Sequence, residues 1–196
     1  MLRGMVFVDH MNFDIALQNL YKDEERTPKL DYNTLFKGIV EKINNVDYLK
    51  TILFSPKPDT FLMGDSRLSS YYKWTEGLKN SKYIDVVRGN CIARPIDRDI
   101  AMDLSDHKTY YKVEKGTDIN MATHILTKAF YDSFDVAFVM SADTDYLTVY
   151  QQLKIMGKLV VLVTVKGQSF GTIRPEVDDF IILDKGFFSS HIRQNS

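Results

Sequence analysis

Two acidic residues follow an apolar run in the stretch FDVAFVMSADTDYLTVYQQLKIMGKLVVLV. Asp143 and Asp145 stand where this run, which predicts a buried strand, gives way to a predicted helix. Asp9 follows the first apolar run of the chain in the same way, and Asp118 stands at the head of another predicted helix. Carboxylates at such boundaries can do chemistry if the fold brings them together.

The chemistry that four converging carboxylates suit is metal-assisted phosphoryl transfer. Crowded carboxylates repel one another and raise one another's pKa values, a conflict that a divalent cation removes. Mg²⁺ takes oxygen ligands and is usually held by one or two carboxylates together with waters and substrate phosphate. Such a metal activates a water and offsets the charge that builds on the phosphate.

The elements that must position these residues alternate between strand and helix patterns. Strands are predicted at 4–10, 46–55, 82–89, 134–141, 158–165 and 179–184, and helices at 12–21, 32–44, 66–80, 117–131 and 144–156. This alternation predicts a mostly parallel sheet with helices on both faces. Ligands bind such sheets beyond the carboxyl ends of the strands, where strand order reverses. If the first and fourth strands are neighbours there, Asp9 lies close to Asp143 and Asp145.

Residues 90–115 have no clean period, and we interpret them as a charged insertion that could form a hairpin. The basic and aromatic residues in this segment include Arg94, Arg98, Lys108, Lys112, Lys115, Tyr110 and Tyr111. They could pair with phosphates and stack single-stranded bases. Interleaved aspartates favour the simpler reading of a solvated loop.

The composition is that of a globular protein, with 44% hydrophobic and 26% charged residues, and the length of 196 residues suits one domain over 1–196. The net charge of −1 gives no general attraction to nucleic acid, so any such contact needs a local patch. Cys91 is the single cysteine, which excludes an internal disulfide and fits a reducing compartment. The first residues lack a signal-peptide pattern, and no apolar run could cross a bilayer, so we expect a cytoplasmic protein.

Three motifs resemble those of NYN domains, the LabA-like branch of the PIN-like nucleases. VFVDHMN resembles the first motif, EKGTDINMA the second and VMSADTDYLTVYQQLKIMGKLVVLV the third. The third motif is the most specific, because strand, acidic pair, helix, glycine and strand coincide in it. The resemblance spans the chain from Met5 to about Leu183.

The resemblance implies a fold, an activity and a set of site residues. The fold would be an α/β, three-layer PIN-like fold with the strand order 3-2-1-4-5 and a short sixth strand. The activity would be metal-dependent cleavage of RNA, leaving 5′-phosphate and 3′-hydroxyl ends. The residues expected to be catalytic are Asp9, Asn12, Asp118, Asp143 and Asp145, and the four aspartates would bind Mg²⁺ or Mn²⁺. The residues expected to contact substrate are Asn12, Ser141, Thr144, Lys115 and His10.

The chain departs from the family pattern at three positions. His10 and Ala142 stand where glycine is common, and His124 stands where relatives often carry a further Asp. The change at His124 makes a full two-metal site a weaker expectation than one metal.

Simpler explanations of these residues stay open. Acidic residues favour the positive end of a helix dipole, so Asp143, Asp145 and Asp118 could merely begin helices. A histidine such as His10 is more often a satisfied core or surface residue than a ligand.

The leading hypothesis is a metal-dependent endoribonuclease that acts on single-stranded or structured RNA, alone or as a homodimer. The alternative is an RNA-binding or regulatory module of the same fold with weak or lost catalysis. A phosphatase or phospho-receiver ranks below both. Met11 stands where an aspartyl phosphatase has its second Asp, and no acidic pair precedes Asp9.

Overall fold

A seven-stranded sheet forms the centre of the protein in a computed structural model that describes residues 1–193. The strands are β1 (Leu2–Asp9), β2 (Val46–Pro58), β3 (Ile84–Pro95), β4 (Tyr110–Lys115), β5 (Val136–Met140), β6 (Leu159–Val165) and β7 (Asp179–Leu183). Their spatial order is β4-β3-β2-β1-β5-β6-β7. β4 runs antiparallel to β3, whereas the other neighbouring strands are parallel.

Helices cover both faces of this sheet. They are α1 (His10–Leu20), α2 (Tyr32–Val40), α3 (Ser66–Gly77), α4 (Thr117–Phe130), α5 (Leu147–Ile155) and α6 (Lys185–Ser189). Both faces of strand β1 are buried, each in a separate apolar core. Val6 and Val8 pack with α1 and α2, and Met5 and Phe7 pack with α4 and α5. This is why the central strands read as continuous apolar runs rather than as alternating ones. Within residues 1–193, no helix has both the length and the apolar character needed to cross a bilayer.

The predicted fold class is confirmed, and the insertion adds one strand to it. β3 runs on to Pro95, well beyond the predicted end at Gly89, and pairs with β4 from Asn90↔Lys115 to Pro95↔Tyr110. The insertion is therefore a hairpin at the edge of the sheet. Its inner residues Cys91, Ala93 and Tyr110 form a small apolar cluster with Leu62.

The observed helices differ from the predicted ones at their ends, most clearly in α2 and in the helix that follows β5. α2 stops at Val40, four residues before the predicted end. The helix expected from residue 144 begins as a 3₁₀ turn, Thr144–Tyr146, and becomes α-helical only at Leu147. The tight turn forms because the Asp143 side chain accepts a hydrogen bond from the Asp145 amide, which caps the first turn.

The strand register brings together the chain segments that follow β1 and β5. Val8 is paired with Met140, so the next residues along each strand, Asp9 and Ser141, emerge side by side. The expectation that these two strands are neighbours is thus confirmed. Their carboxyl ends form one edge of the sheet, where α1 and the 3₁₀ turn begin.

A close backbone contact holds the start of α4 against β3 near the same edge. A Cβ atom on Gly89 would lie 2.7 Å from the Thr117 amide nitrogen and 2.9 Å from the Lys115 carbonyl oxygen, so no larger residue fits without backbone movement. Gly116, which precedes α4, has φ +82°, a conformation that glycine adopts without strain. The Asn120 side-chain amide donates to the Arg88 carbonyl at 3.0 Å. These contacts fix the position of the first turn of α4, which carries Asp118.

We expect Gly89→Ala to lower the free energy of unfolding by about 1–3 kcal/mol, because the added methyl group would force α4 away from β3. Gly77→Ala is the matched control. Gly77 ends α3 with φ −60°, and a methyl group added there would meet no neighbouring side chain or strand of residues 1–193 within 4 Å, so we expect a gain of about 0.4–1 kcal/mol. Chemical denaturation of both variants measures the two changes in the free energy of unfolding, which we expect to have opposite signs. Equal effects at the two positions would contradict the close contact at Gly89.

Candidate functional site

Asp9 is the centre of the acidic site. It ends β1 and caps α1, with one carboxylate oxygen accepting from the Asn12 amide at 3.1 Å and the other from the Ser141 hydroxyl at 3.3 Å. The residue is only 7% exposed. The pKa of Asp9 is raised to about 6, mainly by burial and also by the negative charges of Asp118 and Glu114, while the two hydrogen bonds act in the opposite direction. Asp9 therefore sits in a pocket of net negative charge.

Ser141 connects Asp9 to Asp143. The Ser141 side chain is buried, its hydroxyl donates to Asp9, and the same oxygen accepts from the Asp143 amide at 3.2 Å. Asp143 in turn accepts from the Asp145 amide at 2.9 Å. The hydroxyl of Ser141 is used within the protein, so the geometry supports an orienting role for this residue, and a contact with substrate stays a prediction.

Asn12 ties three strand ends together. Its side-chain oxygen accepts from the Ala142 amide at 3.3 Å and from the Gln168 side-chain amide at 2.8 Å. The Gln168 side-chain oxygen accepts from the Val165 amide at 2.8 Å, which anchors it to β6. Sequence reasoning missed Gln168. Its position just beyond the carboxyl end of β6 is the signal that could have found it.

Tyr146 is a second unpredicted member of the site. Its phenol is buried and donates to Asp118 at 2.9 Å. Burial raises the pKa of Tyr146 above its ordinary range, and the charges of Asp9, Asp118 and Asp143 raise it further. One buried hydroxyl group therefore links the 3₁₀ turn after β5 to the carboxylate at the start of α4. Sequence reasoning does not find Tyr146, because its spacing with Val149, Tyr150 and Leu153 is that of an ordinary helical packing residue.

Glu114 is a further acidic residue that the sequence did not single out. It lies on β4, and its charge raises the pKa of Asp9. Burial raises the pKa of Glu114 itself, to which the charge of Asp118 adds. Glu114 is the first residue of EKGTDINMA, the segment that resembles the second motif, and this position was the available signal.

Three predicted site residues lie on the surface around this acidic group. Asp145, Thr144 and Lys115 are exposed. Their side chains form no hydrogen bond or salt bridge with other residues in the range 1–193. The structure therefore links Asp145 to Asp143 through its backbone but does not bring its carboxylate to Asp9.

His10 does not face the acidic group. It is completely buried, with one ring nitrogen bonded to the Tyr32 hydroxyl at 2.8 Å and the other bonded to the Tyr71 hydroxyl. Trp74 and Phe13 pack around the ring. Burial lowers the pKa of His10 to about 3, with the charge of Arg88 adding to the effect, so the ring is neutral at pH 7. This geometry does not support the substrate contact predicted for His10 and agrees with the simpler reading of a satisfied core histidine.

His124, which stands where relatives often carry an acidic residue, packs against the buried core. Its ring lies edge to face with Phe54 at a centroid distance of 5.6 Å. Phe54 is the register partner of Asp9 in β2. Burial lowers the pKa of His124.

The four aspartates predicted to bind metal do not form one tight group of ligands in the structure. Among residues 1–193, no three His, Cys, Asp or Glu side chains are grouped tightly enough to hold a metal ion. The chemistry of the donors still fits Mg²⁺ or Mn²⁺, which need only one or two carboxylates beside waters and phosphate. Asp9 and Asp143 are the residues that could hold such an ion, since the main-chain amide of Asp143 donates to the same Ser141 hydroxyl that donates to the Asp9 carboxylate.

Comparison with known proteins gives the family. The family model described as the NYN domain matches residues 3–184. A crystal structure of a protein of unknown function from Vibrio parahaemolyticus has a TM-score of 0.58 and 14% identity, with 95% of each chain covered, and so shares the fold. No curated protein matches the sequence. The chain belongs to the NYN domain family, whose members have a PIN-like fold and are generally nucleases.

Proposed function

We propose that this protein is an endoribonuclease that hydrolyses RNA with Mg²⁺ or Mn²⁺ held by Asp9 and Asp143. The observation that carries the proposal is the buried Asp9 carboxylate at the ligand-binding edge of the sheet, joined to Asp143 through Ser141. Members of the NYN family are generally nucleases. The three sequence motifs of this chain resemble those of RNA-cleaving members.

The charge around Asp9 argues for a cation. Burying a carboxylate is costly unless an opposite charge accompanies it. No Lys or Arg within residues 1–193 forms a salt bridge with Asp9, while Asp118 and Glu114 add negative charge nearby. A divalent cation would compensate this charge. Asp118, whose charge raises the pKa of Asp9, and Asp145, in the turn after Asp143, would add negative charge that attracts the cation.

When bound, the ion would polarise the phosphate and activate water for attack. The chain's own residues do the rest of the work. Asn12 and Gln168 hold the loops after β1, β5 and β6 in one arrangement. Tyr146, whose raised pKa keeps its phenol protonated, fixes the Asp118 carboxylate by donating to it. Lys115, exposed at the end of β4, is the proposed phosphate contact at the rim.

We expect wild-type protein to cleave unstructured RNA with Mn²⁺ or Mg²⁺ and to stop when EDTA is added. Asp143→Asn should lower the cleavage rate by about a hundredfold or more, because the lost carboxylate is a proposed ligand. Gel analysis of a labelled RNA gives the rates. Asp47→Asn, at the opposite edge of the sheet beside Arg3, is the matched control and should cleave normally.

The same assay separates the enzyme from the alternative, an RNA-binding module without catalysis. Binding of RNA with no cleavage by wild-type protein in either metal would favour the module. Cleavage that survives both EDTA and Asp143→Asn would contradict the proposed site.

Stability provides a test that does not depend on activity. In metal-free buffer at pH 8, we expect Asp9→Asn to raise the free energy of unfolding by about 1–2 kcal/mol, because it removes a buried charge without removing the side-chain oxygen that accepts from Asn12. Millimolar Mn²⁺ should raise the melting temperature of the wild type and of Asp47→Asn but not that of Asp9→Asn. Thermal denaturation with and without Mn²⁺ measures this. An equal response of all three proteins would place the metal elsewhere.

A further inference from the structure

A cavity of about 340 Å³ lies between α3, strands β2 and β3, and α1, the helix that Asp9 caps. Its lining is mainly apolar and includes Met11, Pro56 and Leu68. Asp14 and Arg67 are its charged residues. A volume of this size can hold one flat ring system of nucleobase dimensions.

Part of the cavity lining comes from chain segments that adjoin the proposed catalytic edge. Met11 lies two residues after Asp9, and Pro56 lies two residues beyond Phe54, the register partner of Asp9. Tyr71, which lines the cavity, bonds to the ring of His10. Burial raises the pKa of Tyr71, and the negative charges of Asp14 and Asp9 add to this effect.

Asp14 gives the cavity a specific polar requirement. One of its carboxylate oxygens accepts from the Gln18 side-chain amide at 2.7 Å. Asp14 forms no salt bridge with any residue in the range 1–193, although it is partly buried. An ionised carboxylate can only accept hydrogen bonds, so a ligand in this cavity must present donors.

We propose that this cavity binds a guanine base of the substrate RNA, next to the phosphate that is cleaved. The proposal rests on the proposed nuclease function, because it assigns the guanine to the substrate strand. Guanine presents two adjacent donors, N1–H and N2–H₂, which match a carboxylate. Adenine and cytosine present one amino group each, and the single donor of uracil is flanked by carbonyl oxygens that repel Asp14. The edge that Asp14 reads is free only in an unpaired base.

Arg67 completes the subsite from its rim. It is exposed, and its guanidinium forms no salt bridge within the described residues. Its position at the mouth of the cavity suits contact with a phosphate of the same strand, a contact that adds affinity without base preference.

The test measures binding of fluorescein-labelled octamers, alternating uridine and guanosine or all uridine, to protein that carries Asp143→Asn to prevent cleavage. We expect the guanosine octamer to bind about tenfold more tightly. Adding Asp14→Asn should bring the two affinities to within about threefold, because the neutral amide no longer accepts through both oxygens. Asp47→Asn is the matched carboxylate control and should retain the full preference. Arg67→Gln should weaken binding of both octamers alike and make it less sensitive to salt.

The outcomes separate the subsite from the nuclease. A tenfold guanosine preference that survives Asp14→Asn, with circular dichroism showing folded protein, overturns the subsite and leaves the nuclease proposal intact. A guanosine preference lost in Asp14→Asn supports the subsite, even if wild-type protein with Mn²⁺ fails to cleave and the proposed function falls. Equal binding of both octamers by the parent protein overturns the subsite directly.

Discussion

The hydrogen bond from Ser141 to Asp9 is the contact on which the site depends. It exists because β1 and β5 are parallel neighbours that end at the same level, so the residues that follow them meet. If another strand separated β1 from β5, Ser141 could not reach Asp9. The acidic site is therefore a direct consequence of strand order, and it lies where open parallel sheets bind ligands.

A second set of contacts brings Asp118 to this edge from the other side. The absence of a side chain at Gly89 lets α4 begin close to β3, and the positive φ of Gly116 turns the chain into the helix. Tyr146 then joins α4 to the turn after β5 by donating to Asp118. Carboxylates from widely separated parts of the chain accept hydrogen bonds from uncharged donors. These donors do not neutralise the negative charge of the carboxylates. Stability lost to this repulsion is of the kind that active sites commonly carry.

Much of this arrangement could be predicted from the sequence, because apolar periodicity fixes the strands and the strand ends fix Asp9 and Asp143. Contacts that depend on how helices cross the sheet could not be predicted. Tyr146 has the spacing of an ordinary packing residue, and only the observed turn points its hydroxyl at Asp118. His10 follows Asp9 directly, yet it faces Tyr32 and Tyr71 on α2 and α3, because the first helical turn rotates successive side chains by about 100°. Glu114 lies in a segment whose sequence has no clear periodicity. Its effect on the pKa of Asp9 depends on how the β3–β4 hairpin packs, which the sequence does not predict.

The central claim is that Asp9 and Asp143 share a divalent cation. Anomalous diffraction from crystals soaked in Mn²⁺ tests it most directly. We expect one peak in direct contact with a carboxylate oxygen of each of these residues, at about 2.0–2.3 Å. A well-occupied peak bound elsewhere, or clear density for Asp9 and Asp143 with no peak between them at high Mn²⁺ concentration, would contradict it.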